Sequence, residues 1–93
     1  MTARYALPTA LAVARAGDGT LFVMPLPDGP PRVLNGSAEV IWEVAVSGSE
    51  HIVEEVAEAF DVASEAIASD VGVALRSFTQ LGLIERLAGE DAS

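Results

Sequence analysis

His51 is the one histidine of this chain, and the chain has no cysteine. A metal site or a nucleophile–base pair needs several such side chains at one point, and an activated serine would depend on His51 alone. His51 lies three residues before Glu54, which indicates the first turn of a helix. We therefore expect no catalytic residue, no metal and no cofactor, and predict a binding protein that is not an enzyme.

Asp70 is the acidic side chain whose surroundings suggest binding. On a helical wheel it lies beside the apolar stripe of a predicted helix, near Ala74 and Ser77, and Val73 continues the same flank. These residues form a strip of small and apolar side chains around one carboxylate. The strip either binds a ligand or packs against another helix while Asp70 reaches water, and both interpretations stay open.

The charge balance limits the class of partner. The chain has 14 acidic residues against 5 basic ones, all of them arginine, and a net charge of −9. This charge repels phosphate backbones and anionic membranes. The first residues show no signal peptide, and no apolar stretch reaches bilayer length. We expect a cytoplasmic protein with a neutral or basic partner.

Three short β-strands are predicted in the first half. Leu11–Arg15 and residues 20–24 are apolar and flank Gly17-Asp18-Gly19, which predicts a hairpin. Residues 25–31 contain four prolines without a backbone N–H, so they form a loop before a third strand, Arg32–Leu34. The second strand should be central in an antiparallel meander.

Three helices are predicted in the second half, with the first capped by Asn35 or Ser37. The second helix spans about residues 51–60, and the third runs from Asp61 or Ser64 to about residue 80, with Gly82 as a left-handed cap. The predicted core stripes of the helices contain Ala38, Ile41, Val44, Ala45, Ile52, Val56, Phe60, Ile67, Val71, Leu75 and Phe78. Trp42 is expected to pack in or beside the core, with an interface anchor as the second interpretation.

This order predicts one α+β domain over residues 1–93, with its core at about residues 11–87 and a winged helix-turn-helix-like arrangement. In a three-stranded meander the third strand is an edge, and its free N–H and C=O groups can pair with another extended chain. If the third helix packs across the sheet, its flank and this edge form a groove.

The order of several short motifs resembles the PqqD family and the related recognition elements of lasso-peptide and other peptide-modifying pathways. The motifs are Leu34-Asn35, Ala38, Ile41-Trp42, an acidic second helix, Asp70-Val71 and Leu81-Gly82-Leu83-Ile84. The resemblance implies a leader peptide bound as an added antiparallel strand on the third strand, against the third helix. It also implies a separate modifying enzyme or leader peptidase as a second partner. By position, the implied peptide-binding residues are Arg32, Val33, Leu34, Asp70, Val73, Ala74 and Ser77.

Two other functions are compatible with the predicted fold. A winged-helix regulator would read DNA with a helix, but the third helix is not basic. A homodimerising module would use the edge strand or the apolar strip for self-association, which is also compatible with peptide binding.

Overall fold

A computed structural model describes residues 4–87 as an α+β fold in which a three-stranded antiparallel sheet is followed by three helices, as predicted. The strands are β1 (Tyr5–Ala6), β2 (Leu11–Arg15), β3 (Leu21–Pro25), β4 (Arg32–Leu34) and β5 (Glu85–Arg86). The helices are α1 (Gly36–Val46), α2 (Ile52–Phe60) and α3 (Ser64–Leu81).

The larger sheet has the strand order β2-β3-β4, so the prediction of a central second strand is confirmed. The predicted hairpin pairs Leu11 with Pro25 and Arg15 with Leu21. In its turn, the backbone N–H of Thr20 donates a hydrogen bond to Asp18 Oδ1 at 3.0 Å. This bond stabilises the carboxylate and lowers the pKa of Asp18.

A smaller sheet joins the two ends of the described chain and was not predicted. Strands β1 and β5 pair antiparallel, with Tyr5 opposite Arg86, and the N–H of Leu87 donates to the carbonyl of Arg4 at 2.9 Å. Two-residue strands are too short to show an alternating pattern, so only the tertiary pairing reveals them.

The helix ends lie within one or two residues of the predicted ones, but the predicted side-chain cap of α1 is not formed by Asn35. Asn35 precedes α1, but its side chain makes no cap hydrogen bond; its backbone carbonyl accepts from the N–H of Glu39 at 3.4 Å instead. Helix α3 begins at Ser64, whereas Asp61 ends α2 in the left-handed conformation with φ 58°. Gly82 caps α3 with φ 78°, as predicted.

Trp42 lies in the core and ties α1 to the segment after α3. Its indole Nε1–H donates a buried hydrogen bond to the carbonyl of Leu83 at 2.9 Å. Leu83 and Ile84 are buried, which confirms that the chain folds back onto the core after Gly82. The prediction that Phe60 lies on a core stripe is wrong. Its side chain is 43% exposed because it is the last residue of α2.

Arg15 connects the end of β2 to α1. Its guanidinium donates to Glu39 and Glu43, both at 2.7 Å, and to the carbonyl of Gly19 at 2.8 Å. The hydrogen bond to Glu39 is the main cause of the raised pKa of Arg15. This contact orients α1 beside the hairpin, although exposed ion pairs add little stability.

We predict that Gly29→Ala destabilises the loop that leads into β4. A Cβ at this position would lie 2.6 Å from the carbonyl oxygen of Pro25, so the loop must shift, at a cost of about 1–3 kcal/mol. Gly17→Ala is the matched control, since a Cβ there meets nothing within 4 Å. Urea unfolding followed by Trp42 fluorescence measures both variants. Equal stability of the two would contradict the tight Pro25–Gly29 contact.

Candidate functional site

Strand β4 is an edge strand with one side unpaired among the described residues. It pairs with β3 through Leu21–Leu34, Phe22–Val33 and Val23–Arg32. No backbone group of residues 4–87 hydrogen-bonds to its other side. The side chain of Leu34 is buried, whereas that of Val33 is 50% exposed. The outer backbone groups of β4 are therefore available to a further strand.

The face of the sheet beside this edge is apolar. Because Phe22 is paired with Val33, the two side chains lie on the face opposite to the buried Leu21 and Leu34. A shallow depression of ≈ 200 Å³ on the sheet is lined by Ala12, Ala14, Phe22, Val23, Met24 and Pro31. A strand added to β4 would extend this apolar face.

A second cleft, of ≈ 260 Å³, lies where the three helices meet. Its lining comprises Ser37, Ala38 and Ile41 of α1, Val56 and Phe60 of α2, and Ile67, Asp70, Val71 and Ala74 of α3. Among the described residues, Asp70 is the only charged one in this lining. Ser37 follows Leu34 by three residues, so the cleft wall lies within about 11 Å of the end of β4 along the chain.

The structure brings together some of the sequence-predicted site residues. Asp70 and Ala74 line the helical cleft, and Asp70 is exposed while Ala74 is half-buried. Val73 is 56% exposed, and Ser77 is also exposed; both lie on α3 but outside the lining of the cleft.

The three predicted strand residues form the open edge itself. Arg32 is half-buried and Val33 is exposed, so both side chains can contact a ligand. Leu34 contributes only backbone groups to the surface, because its side chain belongs to the core.

Phe60 and Ser37 are cleft residues that the sequence interpretation missed. The sequence predicts Phe60 in the core and Ser37 as one of two alternative caps of α1, yet both line the cleft with Asp70. The signal for Phe60 is its place in the final turn of α2, directly before the left-handed Asp61. A residue at a helix end is covered on fewer sides than one in the middle, which explains its exposure.

The chemistry of the cleft is that of a binding surface. Its lining is apolar except for one carboxylate and one hydroxyl, which suits an apolar side chain beside a cation or hydrogen-bond donor. Among residues 4–87, no three His, Cys, Asp or Glu side chains are grouped so that they could hold a metal ion. Across the same range, none of the helices has the length and hydropathy needed to cross a bilayer.

We predict that Phe60→Ala costs far less stability than Phe78→Ala. Phe78 is 6% exposed, so Phe78→Ala leaves a cavity in the core. Phe60 is 43% exposed, so Phe60→Ala mainly widens an open cleft. We expect a loss of about 3–5 kcal/mol for Phe78→Ala and about 1 kcal/mol for Phe60→Ala. Chemical unfolding of both variants tests this, and similar losses would mean that the cleft is closed in solution.

Comparison with known proteins relates this chain to a protein family. The family model of coenzyme PQQ synthesis protein D, PqqD, matches residues 22–84, which runs from the central strand of the larger sheet to the buried segment after α3. Neither the search of curated proteins nor that of solved structures found a match. The matched range contains the β4 edge and the whole helical cleft.

Proposed function

This chain belongs to the PqqD family, and from that premise we propose that it binds the leader segment of a ribosomally made precursor peptide as an added antiparallel strand on β4. The flank of α3 lies beside the bound strand. The observation that carries the proposal is the unpaired edge of β4 next to the cleft that contains Asp70. The proposed contact residues are Arg32, Val33, Leu34, Asp70, Val73, Ala74 and Ser77.

The edge alone supplies only part of the affinity. A three-residue strand offers about three or four backbone hydrogen bonds to a partner, each worth about 1 kcal/mol net. Micromolar binding requires about 8 kcal/mol. The remaining free energy of about 4–5 kcal/mol requires about 160–200 Å² of buried apolar surface, at about 25 cal/mol per Å². The entropy lost when the peptide is ordered raises this requirement further.

This requirement defines the ligand. Alternate side chains of an added strand point to opposite faces of the sheet. Those on the outer face lie beside Val33 and Phe22, and those on the helical side approach Ala74 and Asp70. We expect a leader with apolar residues at alternate positions and a cation or hydroxyl group that reaches Asp70.

The bound leader is presented to a separate enzyme, either a modifying enzyme or a leader peptidase. The protein acts by raising the effective concentration of the precursor at that enzyme and needs no reaction of its own. We expect this to take place in the cytoplasm, where the ribosomal precursor is made. The accessory, peptide-binding role of the PqqD family supports this assignment.

Self-association is a second candidate, favoured by one observation. The apolar outer face of the larger sheet contains Phe22 and Val33, which are 36% and 50% exposed, and the open β4 edge borders it. A second copy could pair along the same edge that we assign to the leader. Light scattering over a range of concentrations, with and without a bound leader, separates a stable dimer from a monomer that binds peptide.

We predict that Val33→Asp weakens leader binding at least tenfold. The new carboxylate would be desolvated beside the added strand, which disfavours pairing. Val13→Asp is the matched control: Val13 is 42% exposed on the opposite edge strand, and the change in net charge is identical. Titration calorimetry with a synthetic leader peptide measures both, and we expect Val13→Asp to change the affinity less than twofold.

Asp70→Asn should weaken the same leader about three- to tenfold, since it removes the charge that attracts a cation or hydroxyl donor but keeps the shape of the side chain. If neither Val33→Asp nor Asp70→Asn changes the affinity, the leader binds elsewhere. If Val13→Asp is as harmful as Val33→Asp, the effect is one of general charge and the edge has no special role.

A further inference from the structure

A third cleft, of ≈ 280 Å³, lies between α3 and the smaller sheet. It is lined by Tyr5 of β1, Gly72, Arg76, Thr79 and Gln80 of α3, and Arg86 of β5. It shares no residue with the helical cleft that contains Asp70.

The charge of this cleft is opposite to that of the chain. Two of the five arginines line it, and no carboxylate of residues 4–87 does, although the chain has a net charge of −9. Arg4 and Arg15 form ion pairs with glutamates, whereas Arg76 and Arg86 form none with the described residues. Within the described residues, these two guanidinium groups have no carboxylate partners, so the cleft carries an excess of positive charge.

The other residues of the cleft add polar groups and space. The ring of Tyr5 is buried. Its hydroxyl group is partly exposed to solvent and makes no hydrogen bond with another described side chain or backbone group. Gln80 contributes an exposed amide. A Cβ placed on Gly72 would meet nothing within 4 Å, so the backbone of α3 is open to close approach.

We propose that this cleft binds a carboxylate side chain of an acidic peptide segment on a second protein. The planar guanidinium group pairs with a carboxylate through two parallel hydrogen bonds, and two arginines in one cleft can hold one or two such groups. The amide of Gln80 and the hydroxyl of Tyr5 are suited to the peptide groups beside the acidic side chain. The acidic remainder of the surface restricts the ligand to a short segment, because it repels an extended polyanion.

The position of the cleft allows two partners at once. Arg76 and Gly72 are separated from Asp70 and Ala74 by roughly 120–160° around the axis of α3, at about 100° per residue. A leader on β4 and an acidic segment beside β5 would therefore contact different sides of α3. The arginine cleft is built from residues outside the proposed peptide site, so binding of an acidic segment there does not depend on leader binding.

We test the cleft with the whole chain and acetyl-Glu-Asp-Glu-amide as the probe, followed by amide chemical shifts in NMR. The expected result is saturable shifts at Gly72, Gln80 and Arg86. Arg76→Gln and Arg86→Gln should each weaken binding at least fivefold, and the double variant should abolish it. Arg4→Gln is the charge-matched control and should change the affinity less than twofold, since Arg4 pairs with Glu50 at 3.7 Å outside the cleft.

Gly72→Leu blocks the cleft without changing its charge. Leucine favours a helix more than glycine does, and open space surrounds this position, so the variant should fold and yet bind the probe at least fivefold more weakly. Leader binding on β4 serves as the separate readout. Retained leader affinity in the arginine variants shows that the two sites are independent, whereas loss of both would overturn the separation proposed here.

Two further probes and one variant of the chain define what would overturn the proposal. Equal binding of acetyl-Gln-Asn-Gln-amide would show that the carboxylates are not recognised. Inorganic phosphate that binds while the acidic peptide does not would show a site for free anions. Glu90→Gln/Asp91→Asn removes the acidic residues four and five positions after Arg86. If only that variant bound the probe, the ligand of the cleft would be the chain itself and not a second protein.

Discussion

The burial of Leu34 opposite Leu21 is the constraint on which the candidate site depends. These two side chains lie in the core, and their strands pair directly, so β4 is held against β3 by side-chain packing as well as by backbone hydrogen bonds. Because side chains alternate along a strand, burial of Leu34 requires Val33 to face outward. The same anchor keeps β4 in the sheet although no strand within residues 4–87 pairs with its other side, so that edge is open among these residues.

The Trp42–Leu83 hydrogen bond fixes the position of the C-terminal end of α3 relative to α1. Leu83 follows the left-handed cap of α3, and its carbonyl is fixed by an indole on α1, so the end of α3 cannot move without breaking a buried bond. Leaving such an acceptor unpaired in the core costs about 1–3 kcal/mol. Asp70 and Ala74 therefore lie on a helix whose C-terminal end is held in place. Residues of this helix line both the helical cleft and the arginine cleft.

The sequence was sufficient for the features that depend on local patterns. Period-2 and period-3.6 spacing located the three-stranded sheet and the three helices, and Gly82 marked the end of α3. The sequence patterns did not predict the β1–β5 pairing or the exposure of Phe60, because both depend on how distant segments of the chain meet. For the same reason Asp70 and Ala74 could be placed on one flank of α3, whereas the contributions of Ser37 and Phe60 to their cleft could not.

The short length of β4 has a consequence for how such a domain works. Three residues offer too few backbone hydrogen bonds to retain an arbitrary extended chain. In the proposed binding mode, selectivity would therefore depend on the side chains that meet Val33 on one face and Asp70 on the other. A longer edge would bind more peptides and would also favour aggregation. Binding that depends on a few side-chain contacts is readily reversible, which would suit the transfer of a peptide to a second protein that we propose.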